Sequence, residues 1–384
     1  MSPRFRILLA GLLVIGAAWT LAPGIVEQRM NRVTHQRIVI TPAARALHDK
    51  LFVADLHADT TLWNRDLLAR GNRGHVDIPR LVESHVALQA FTIVTKTPRG
   101  MNIDRNTGDT DNILPLAIAE LWPFRTWGSL TERALYQAGR VTEAAARSNG
   151  GLTVLRTTAD FEAFEGLRAK EKTRVAAFIG VEGAHALEGN LANLDRLYDA
   201  GVRMMAPTHF FDTEIGGSAH GVSQAGLTPL GREWVARMEA KKMIIDLAHA
   251  SPATIDDVLR LATRPVIVSH TGVRGTCDNR RNLTDAQLSA IAAKGGVIGI
   301  GVWDTAVCGD DAHAIARAID HAINVAGFEH VALGSDFDGA VTAPFDVTGL
   351  PQITQALLDL GMDETKIEGV MGGNVRRLLK TLLP

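Results

Sequence analysis

The chain has 384 residues, of which 46% are hydrophobic and 21% are charged, a composition typical of a globular protein with a large core. The formal net charge is -2 and no block of basic residues occurs, which argues against nucleic acid as a partner. The two cysteines, Cys277 and Cys308, are too few for a disulfide scaffold and too far apart for a Cys-x-x-Cys motif. Their number is equally compatible with one bridge in an oxidising compartment and with two buried free thiols.

The N-terminus combines two arginines with an uncharged apolar run, residues 7–26. A membrane-spanning helix needs about 20 apolar residues, whereas the apolar part of a cleaved signal peptide usually has about 7–15. A small-residue cleavage site would end at Ala22, but Pro23 follows it. We therefore expect residues 1–26 to form an uncleaved anchor that leaves the body of the protein outside the cytoplasm. Secretion after signal cleavage is the alternative.

Short apolar runs dominate the rest of the chain. Residues 27–50 are polar and helix-like, and we expect them to link the apolar N-terminus to one large domain, residues 51–384. Continuous apolar runs are typical of parallel strands that are buried on both faces. Eight runs are strand candidates, and most of them have this character: residues 51–56, 86–94, 175–182, 202–208, 243–249, 265–270, 296–302 and 330–336.

Helix signals lie between these runs. Residues 228–242 and 251–263 each open with a Ser or Thr cap followed by proline, and residues 284–296 open with threonine and end in glycines. Strands that alternate with helices in this way predict a (β/α)8 barrel of the TIM type. A doubly wound sheet would call for a glycine-rich phosphate loop early in the chain, and none occurs. A long, largely helical insert, residues 95–174, follows the second strand.

Histidines and carboxylates follow six of the apolar runs at their C-terminal ends. In a barrel these ends converge on one face, where active sites lie. One histidine at a strand end is more often structural than functional, but the coincidence over six strands favours a single site. The residues concerned are His57, Asp59, Glu182, His209, His249, His270 and Asp336.

These residue types are metal ligands. Residues two apart on an extended strand point the same way, so His57 and Asp59 can bind one ion from one side. Zinc binds imidazole nitrogen and carboxylate oxygen, and three histidines with two carboxylates exceed the needs of one tetrahedral ion. A carboxylate shared by two ions would use all of them, as in two-metal hydrolytic sites. A structural zinc site would more commonly be closed and rich in cysteine.

Several motifs resemble the membrane dipeptidase (renal dipeptidase, peptidase family M19) family of the amidohydrolase superfamily. The resemblance covers about residues 51–380 and keeps the order of the motifs. The segment from Val181 to Arg203, VEGAHALEGNLANLDRLYDAGVR, is the longest of them. The others are DLHAD, IIDLAHAS, PVIVSHTG, CDNRRN and LGSDFDG.

The resemblance implies a barrel with two zinc ions per subunit. By motif, His57 and Asp59 would hold one ion, and His249 and His270 would hold the other. Glu182 would bridge the two ions.

The resemblance also implies roles in catalysis and substrate binding. His209 is similar to the histidine that contacts the scissile carbonyl, and Arg281 to the arginine that binds the substrate carboxylate. Asp336 is similar to the catalytic acid/base. From the residues alone, Arg280 and Arg281 could be surface charges. We favour Asp336 over Asp338 because it comes first after the apolar strand.

The implied function is zinc-dependent hydrolysis of dipeptides, in which a metal-activated hydroxide attacks the peptide carbonyl, and the implied assembly is a homodimer. A metal-dependent amidohydrolase for another small amide, such as a β-lactam or an N-acyl amino acid, stays open because fold does not fix substrate. A membrane-tethered binding protein with a relic site would have a damaged ligand set, and this one is complete.

The chain end RRLLKTLLP lacks the apolar tail of a C-terminal lipid anchor, so membrane attachment would fall to residues 1–26. Cys277 and Cys308 fall where the family tends to carry a bridged pair.

Overall fold

The structure is a computed structural model that describes residues 22–384. Most of the expected anchor, residues 1–26, therefore lies outside the described residues. Within residues 22–384, no helix has both the length and the apolar character needed to cross a membrane.

The strands of the described part are almost all members of one parallel sheet. The sheet runs in the order β7-β6-β5-β3-β2-β10-β9-β8, and β4 pairs with the start of β5. A parallel bridge between Asp246 and Ile267 joins the two ends of this order and closes the barrel. The bounds are β1 (Arg32–Val33), β2 (Val53–Ala58), β3 (Val86–Ile93), β4 (Leu152–Val154), β5 (Val175–Val181), β6 (Val202–Met205), β7 (Ile244–Ile245), β8 (Ile267–Thr271), β9 (Val297–Ile300), β10 (Val331–Leu333) and β11 (Thr342–Ala343).

Helices follow most of the barrel strands. The three predicted caps are confirmed, since the side chains of Thr228, Ser251 and Thr284 each accept a backbone N–H in the first turn of a helix. The bounds are α1 (residues 22–30), α2 (Pro42–His48), α3 (Ile78–Glu83), α4 (Ile113–Ala119), α5 (Leu130–Arg147), α6 (Thr158–Arg168), α7 (Ala192–Asp199), α8 (Pro229–Ala240), α9 (Pro252–Leu261), α10 (Asp285–Ala293), α11 (Asp304–Val307), α12 (Ala312–Ala326), α13 (Pro351–Asp359), α14 (Glu364–Glu368) and α15 (Asn374–Leu382).

The barrel confirms the predicted fold class. Each of its eight strands falls within or overlaps one predicted apolar run, and every residue of β2, β3 and β5 is buried. Burial on both faces explains why most residues of these runs are apolar instead of alternating with polar ones. Strands β1, β4 and β11 were not predicted, because their two or three residues do not belong to a longer apolar run like those that contain β7 and β10.

One end of the barrel is closed by apolar packing. Side chains from the barrel interior, among them Leu56, Leu88 and Phe178, form one buried cluster with Leu378 and Leu382 of α15. This packing fills the end where the strands begin. The opposite end, where the strands finish, is left for polar side chains.

A disulfide bond joins Cys277 to Cys308, whose Cα atoms are 5.3 Å apart. It connects the loop after β8 to the end of α11. The pairing that the family resemblance implies is therefore present.

Candidate active site

The polar residues at the strand ends meet at one end of the barrel. His57 and His270 lie within strands β2 and β8, and the others follow strands β2, β5, β6, β7 and β10 directly or after a short loop. All are buried except the side chain of Asp336, which is 13% exposed. The structure thus brings together His57, Asp59, Glu182, His209, His249, His270 and Asp336.

The Glu182 carboxylate lies at the centre of this group. Its Oε1 atom lies 2.9 Å from His249 Nε2, 3.3 Å from His270 Nε2 and 3.6 Å from His57 Nε2. Its Oε2 atom lies 3.2 Å from His209 Nε2. One buried carboxylate is therefore shared by four imidazoles.

Two further carboxylates, those of Asp59 and Asp336, face His57. His57 Nε2 lies 3.5 Å from Asp59 Oδ1 and 4.0 Å from Asp336 Oδ1. Three overlapping sets of residues could each hold a metal ion: His57 with Glu182 and His270, Glu182 with His209 and His249, and His57 with Asp59 and Asp336. These sets place His209 with His249 and His270 with His57, whereas the resemblance pairs His249 with His270.

Ser269 orients two of the histidines. Its Oγ atom lies 2.9 Å from His57 Nδ1 and 3.0 Å from His270 Nδ1. A hydroxyl has one proton but can accept two hydrogen bonds, so both rings can keep a proton on Nδ1 and donate it to Ser269. Both Nε2 lone pairs then face the cluster, which is the tautomer that a metal ligand requires. Thr92 Oγ1 similarly donates to Asp59 Oδ1 at 2.7 Å.

Two site residues adopt an unusual backbone conformation. His249 has φ 61° and Asp336 has φ 60°, in the left-handed region that non-glycine residues rarely occupy. The His249 carbonyl accepts hydrogen bonds from the Ala219 amide and the Thr208 hydroxyl, which helps to hold this conformation. Such conformations persist where the surrounding structure enforces them, and they cluster at functional sites.

The structure distinguishes Asp336 from its neighbour Asp338. The Asp338 carboxylate accepts hydrogen bonds from the Thr60 hydroxyl, the Arg65 guanidinium and the His75 amide. Although burial opposes it, Arg65 and these donors hold the pKa of Asp338 below its usual value. Asp338 therefore has a structural role as a hydrogen-bond acceptor, whereas Asp336 faces the cluster.

The structure also distinguishes Arg281 from its neighbour Arg280. The Arg281 guanidinium is buried, donates to the His270 carbonyl at 3.0 Å and lies 5.5 Å from the centre of the Trp303 ring. Arg280 instead reaches outward to the Asp104 carbonyl. Arg281 is thus the member of the pair that lies at the site.

The electrostatics of the cluster favour a bound cation. Burial raises the pKa of Glu182 well above its usual value, with a further contribution from Asp59, and burial raises the pKa of Asp336 to about 7. Against the effect of burial, Glu182 and Asp59 raise the pKa of His57 to about 10. Among the described residues, His57 Nε2 is also a buried nitrogen without a hydrogen-bond partner. A cation among these groups would satisfy that nitrogen and stabilise the carboxylates in their charged form.

The cluster opens into a cavity of about 630 Å³, a size suited to a small ligand. Arg281 and Trp303 line it on one side. Apolar side chains that include Trp63, Ile113 and Leu116 line another part.

Two other histidines lie near the site but do not line the cavity. His220 stacks on Phe210 with ring centres 4.9 Å apart, and His185 packs on Phe211 at the same separation. The sequence analysis missed Ser269, since neighbouring residues on a regular strand face opposite sides. An irregularity in β8 between Val268 and Thr271 accompanies the contact of Ser269 with His270, and the sequence carries no signal for it.

The barrel gathers buried histidines and carboxylates at the C-terminal ends of its strands, at the base of a cavity. This is the architecture of a metal-dependent hydrolase. Comparison with known families makes this assignment specific. The profile of the family described as Membrane dipeptidase (Peptidase family M19) matches residues 42–382. The chain belongs to this family and is a metallopeptidase that hydrolyses peptide bonds.

Curated relatives are similar over parts of the chain. An uncharacterized protein in the pqqA 5' region of Klebsiella pneumoniae is 33% identical over 262 residues, which are 64% of this chain and 94% of that protein. Dipeptidase aclJ of Aspergillus oryzae is 35% identical over 220 residues, 54% of this chain and 51% of its own length. Dipeptidase 3 of Mus musculus is 33% identical over 229 residues, 56% of this chain and 46% of its own length. The chain thus spans about half the length of these two dipeptidases.

Solved structures are similar over nearly the whole barrel. The dipeptidase AC, a metallopeptidase of family M19, has a TM-score of 0.72 and 26% identity over 87% of this chain and 99% of its own. A metallopeptidase from Rhodobacter sphaeroides, liganded with a phosphinate mimic of the dipeptide L-Ala-D-Ala, has a TM-score of 0.71 and 26% identity over 86% of this chain and 99% of its own.

Proposed function

We propose that the protein is a zinc-dependent dipeptidase that binds two zinc ions bridged by Glu182. The observation that carries this proposal is the position of Glu182, whose two oxygens lie within 3.3 Å of His249, His270 and His209. A carboxylate shared in this way suits a two-ion centre. The ligand-bound relative from Rhodobacter sphaeroides supports a dipeptide as the substrate.

The residues present fit zinc, which binds imidazole nitrogen and carboxylate oxygen. His57 and Asp59 would hold one ion, and His249 and His270 the other. When bound, the ions supply Lewis acidity and lower the pKa of a bound water, so that hydroxide is available near neutral pH.

The protein's own residues bind and orient the substrate. Arg281 is buried beside the cluster, and its guanidinium can bind the C-terminal carboxylate of a dipeptide through two parallel hydrogen bonds. Burial lowers the pKa of His209, which keeps its imidazole neutral. A neutral imidazole can donate one hydrogen bond to the scissile carbonyl oxygen as negative charge develops there.

Asp336 carries the proton. Burial raises its pKa to about 7 in the metal-free cluster, and its carboxyl group lies beside His57 and Asp59, where it can accept and release a proton. It takes the proton of the attacking water as the new C–O bond forms. It then returns that proton to the amine nitrogen as the peptide C–N bond breaks.

We also infer that the barrel lies outside the cytoplasm and is attached to a membrane through residues 1–26. The disulfide between Cys277 and Cys308 supports this, since such bonds persist in oxidising compartments. A reporter enzyme that is active only outside the cytoplasm, fused after residue 384, should be active. Activity of a reporter that works only inside would contradict the proposal. The homodimer implied by the resemblance stays a prediction.

The test of the proposed function is a hydrolysis screen with purified full-length protein and added zinc. The substrates are L-L dipeptides, L-D dipeptides, N-acyl amino acids and a β-lactam, because each of these can present a carboxylate to Arg281. We expect the highest kcat/KM for dipeptides and loss of the activity in the presence of a chelator. Hydrolysis of the acyl amino acid or the β-lactam with no turnover of dipeptides would reject the dipeptidase and favour the related amidohydrolase.

A further inference from the structure

Helix α1 forms part of the wall of the catalytic cavity. Ala22, Pro23, Val26 and Met30 all line the same cavity as Glu182 and the histidines. Val26 and Met30 are 42% and 38% exposed, so a substantial part of each side chain is open to a ligand or to solvent. The sequence analysis treats this segment as the end of an anchor and the start of a linker, and it did not foresee this position.

Buried ion pairs hold α1 in place. Glu27 is 2% exposed, and its two carboxylate oxygens lie 2.5 Å from Arg65 Nε and 2.5 Å from Arg73 Nε. Arg65 also binds Asp338 at 2.6 Å. A buried carboxylate with two charge-assisted hydrogen bonds fixes the helix in one orientation, because a shift would leave a charge buried without its partner.

The chain that follows α1 is tied to the loop that carries Asp336. The Asn31 side chain accepts a hydrogen bond from the Ala340 amide at 2.8 Å. The Thr34 amide then donates to the Ala343 carbonyl at 3.0 Å, where β1 pairs with β11. The helix is therefore attached to the barrel both through Glu27 and through the chain that directly follows it.

The cavity has a cationic side and an apolar side. Among the described residues that line it, Arg281 is the one arginine or lysine. It comes from the loop after β8, whereas α1 packs against residues that follow β10 and β2. In the order of the barrel, β8 and β2 are separated by β9 and β10. When its carboxylate binds Arg281, a dipeptide leaves its amino-terminal side chain for the apolar part of the wall, to which α1 contributes.

We propose that α1 determines specificity: Val26 and Met30 contact the side chain of the amino-terminal residue of the dipeptide and favour an apolar one. The proposal rests on the proposed dipeptidase function and deepens it. The helix acts by burying apolar surface of the substrate, which is favourable in proportion to the area removed from water.

The test compares leucyl-alanine with glycyl-alanine, which differ only in the amino-terminal side chain. In the full-length protein with zinc, the double variant Val26→Ala with Met30→Ala should lower the ratio of the two kcat/KM values by roughly tenfold, as expected for lost contacts in an apolar pocket. Ile25→Ala is the matched control. Ile25 lies on the same helix and is 49% exposed, but it does not line the cavity, so its replacement should leave the ratio unchanged.

A second variant tests the position of the helix. Glu27→Gln removes the charge that binds Arg65 and Arg73, and it should lower the same ratio without removing a cavity-lining side chain. Thermal unfolding of each variant shows that the barrel is folded. A ratio within twofold of wild type in both the double variant and Glu27→Gln overturns the proposal. If the wild-type protein with zinc cleaves neither dipeptide, that result rejects the dipeptidase function, and the specificity proposal is rejected with it.

Discussion

Replacing Ser269 with alanine should weaken metal binding without removing a ligand. The Ser269 hydroxyl contacts the Nδ1 atoms of both His57 and His270, at 2.9 and 3.0 Å, and can accept a hydrogen bond from each. Without it, each ring loses the contact that selects its tautomer and its orientation. Both Nε2 atoms then face the cluster for only part of the time.

The size of the effect follows from these two contacts. One hydrogen bond contributes about 0.5–1.5 kcal/mol net, so two contribute about 1–3 kcal/mol. At 1.4 kcal/mol for each factor of ten, the zinc dissociation constant should rise roughly 5- to 150-fold. Measured effects of replacing residues that support metal ligands, about 10- to 100-fold, fall in the same range.

Competition with a chromophoric zinc chelator at fixed pH measures this dissociation constant. Ser251→Ala is the matched control, since Ser251 is also a fully buried serine, but its hydroxyl caps α9 and hydrogen-bonds to the Ala225 carbonyl and Thr254, not to a histidine. It should lower the free energy of unfolding by about 1 kcal/mol and leave zinc affinity unchanged. A Ser269→Ala variant that is folded and binds zinc within twofold of wild type would refute the tautomer argument.

Three further predictions concern the proton, the metal and the disulfide. Asp336→Asn should retain its zinc, measured by elemental analysis, but lose about 10²- to 10⁴-fold in kcat, and unchanged turnover would remove the role given to Asp336. The pKa of His57 is raised to about 10 and that of Asp336 to about 7 in the metal-free cluster, so both groups carry protons below pH 7. Zinc binding should therefore release protons and should weaken as pH falls below about 10, more steeply below about 7 where Asp336 is also protonated, and calorimetry in two buffers of different ionisation enthalpy should detect that release. Replacing Cys277 and Cys308 with serine opens a loop with a sequence separation of 31, which should lower the free energy of unfolding by about 3–4 kcal/mol in a denaturant titration. Reduced wild-type protein should match this variant, and a stability equal to that of the oxidised protein would contradict the prediction.

The barrel was predictable because its strands are buried on both faces. Runs such as residues 86–94 and 175–182 are mostly apolar, and each contains a fully buried strand. The strand-end residues were predictable for a related reason, because parallel strands bring their C-terminal ends to one face. Glu182 and His270 are 88 positions apart in the chain, yet this rule alone places them in one site.

Features that depend on tertiary contact were not predictable. Ser269 contacts two histidines beside an irregularity in β8, and the strand pattern predicts the opposite face for it. The position of α1 depends on Glu27 pairing with Arg65 and Arg73, which lie 38 and 46 residues away. A polar segment after an apolar run has the same sequence signature whether it is a free linker or a cavity wall.

The central claim is that the cluster around Glu182 hydrolyses dipeptides by means of two bound zinc ions. The most direct measurement is the rate of dipeptide hydrolysis as metal-free protein is titrated with zinc, with bound zinc per chain counted at each step. Activity should be absent in the metal-free protein and should reach its plateau when two ions are bound per chain. Full activity in the metal-free protein, or no hydrolysis of any dipeptide with two ions bound, would contradict the account.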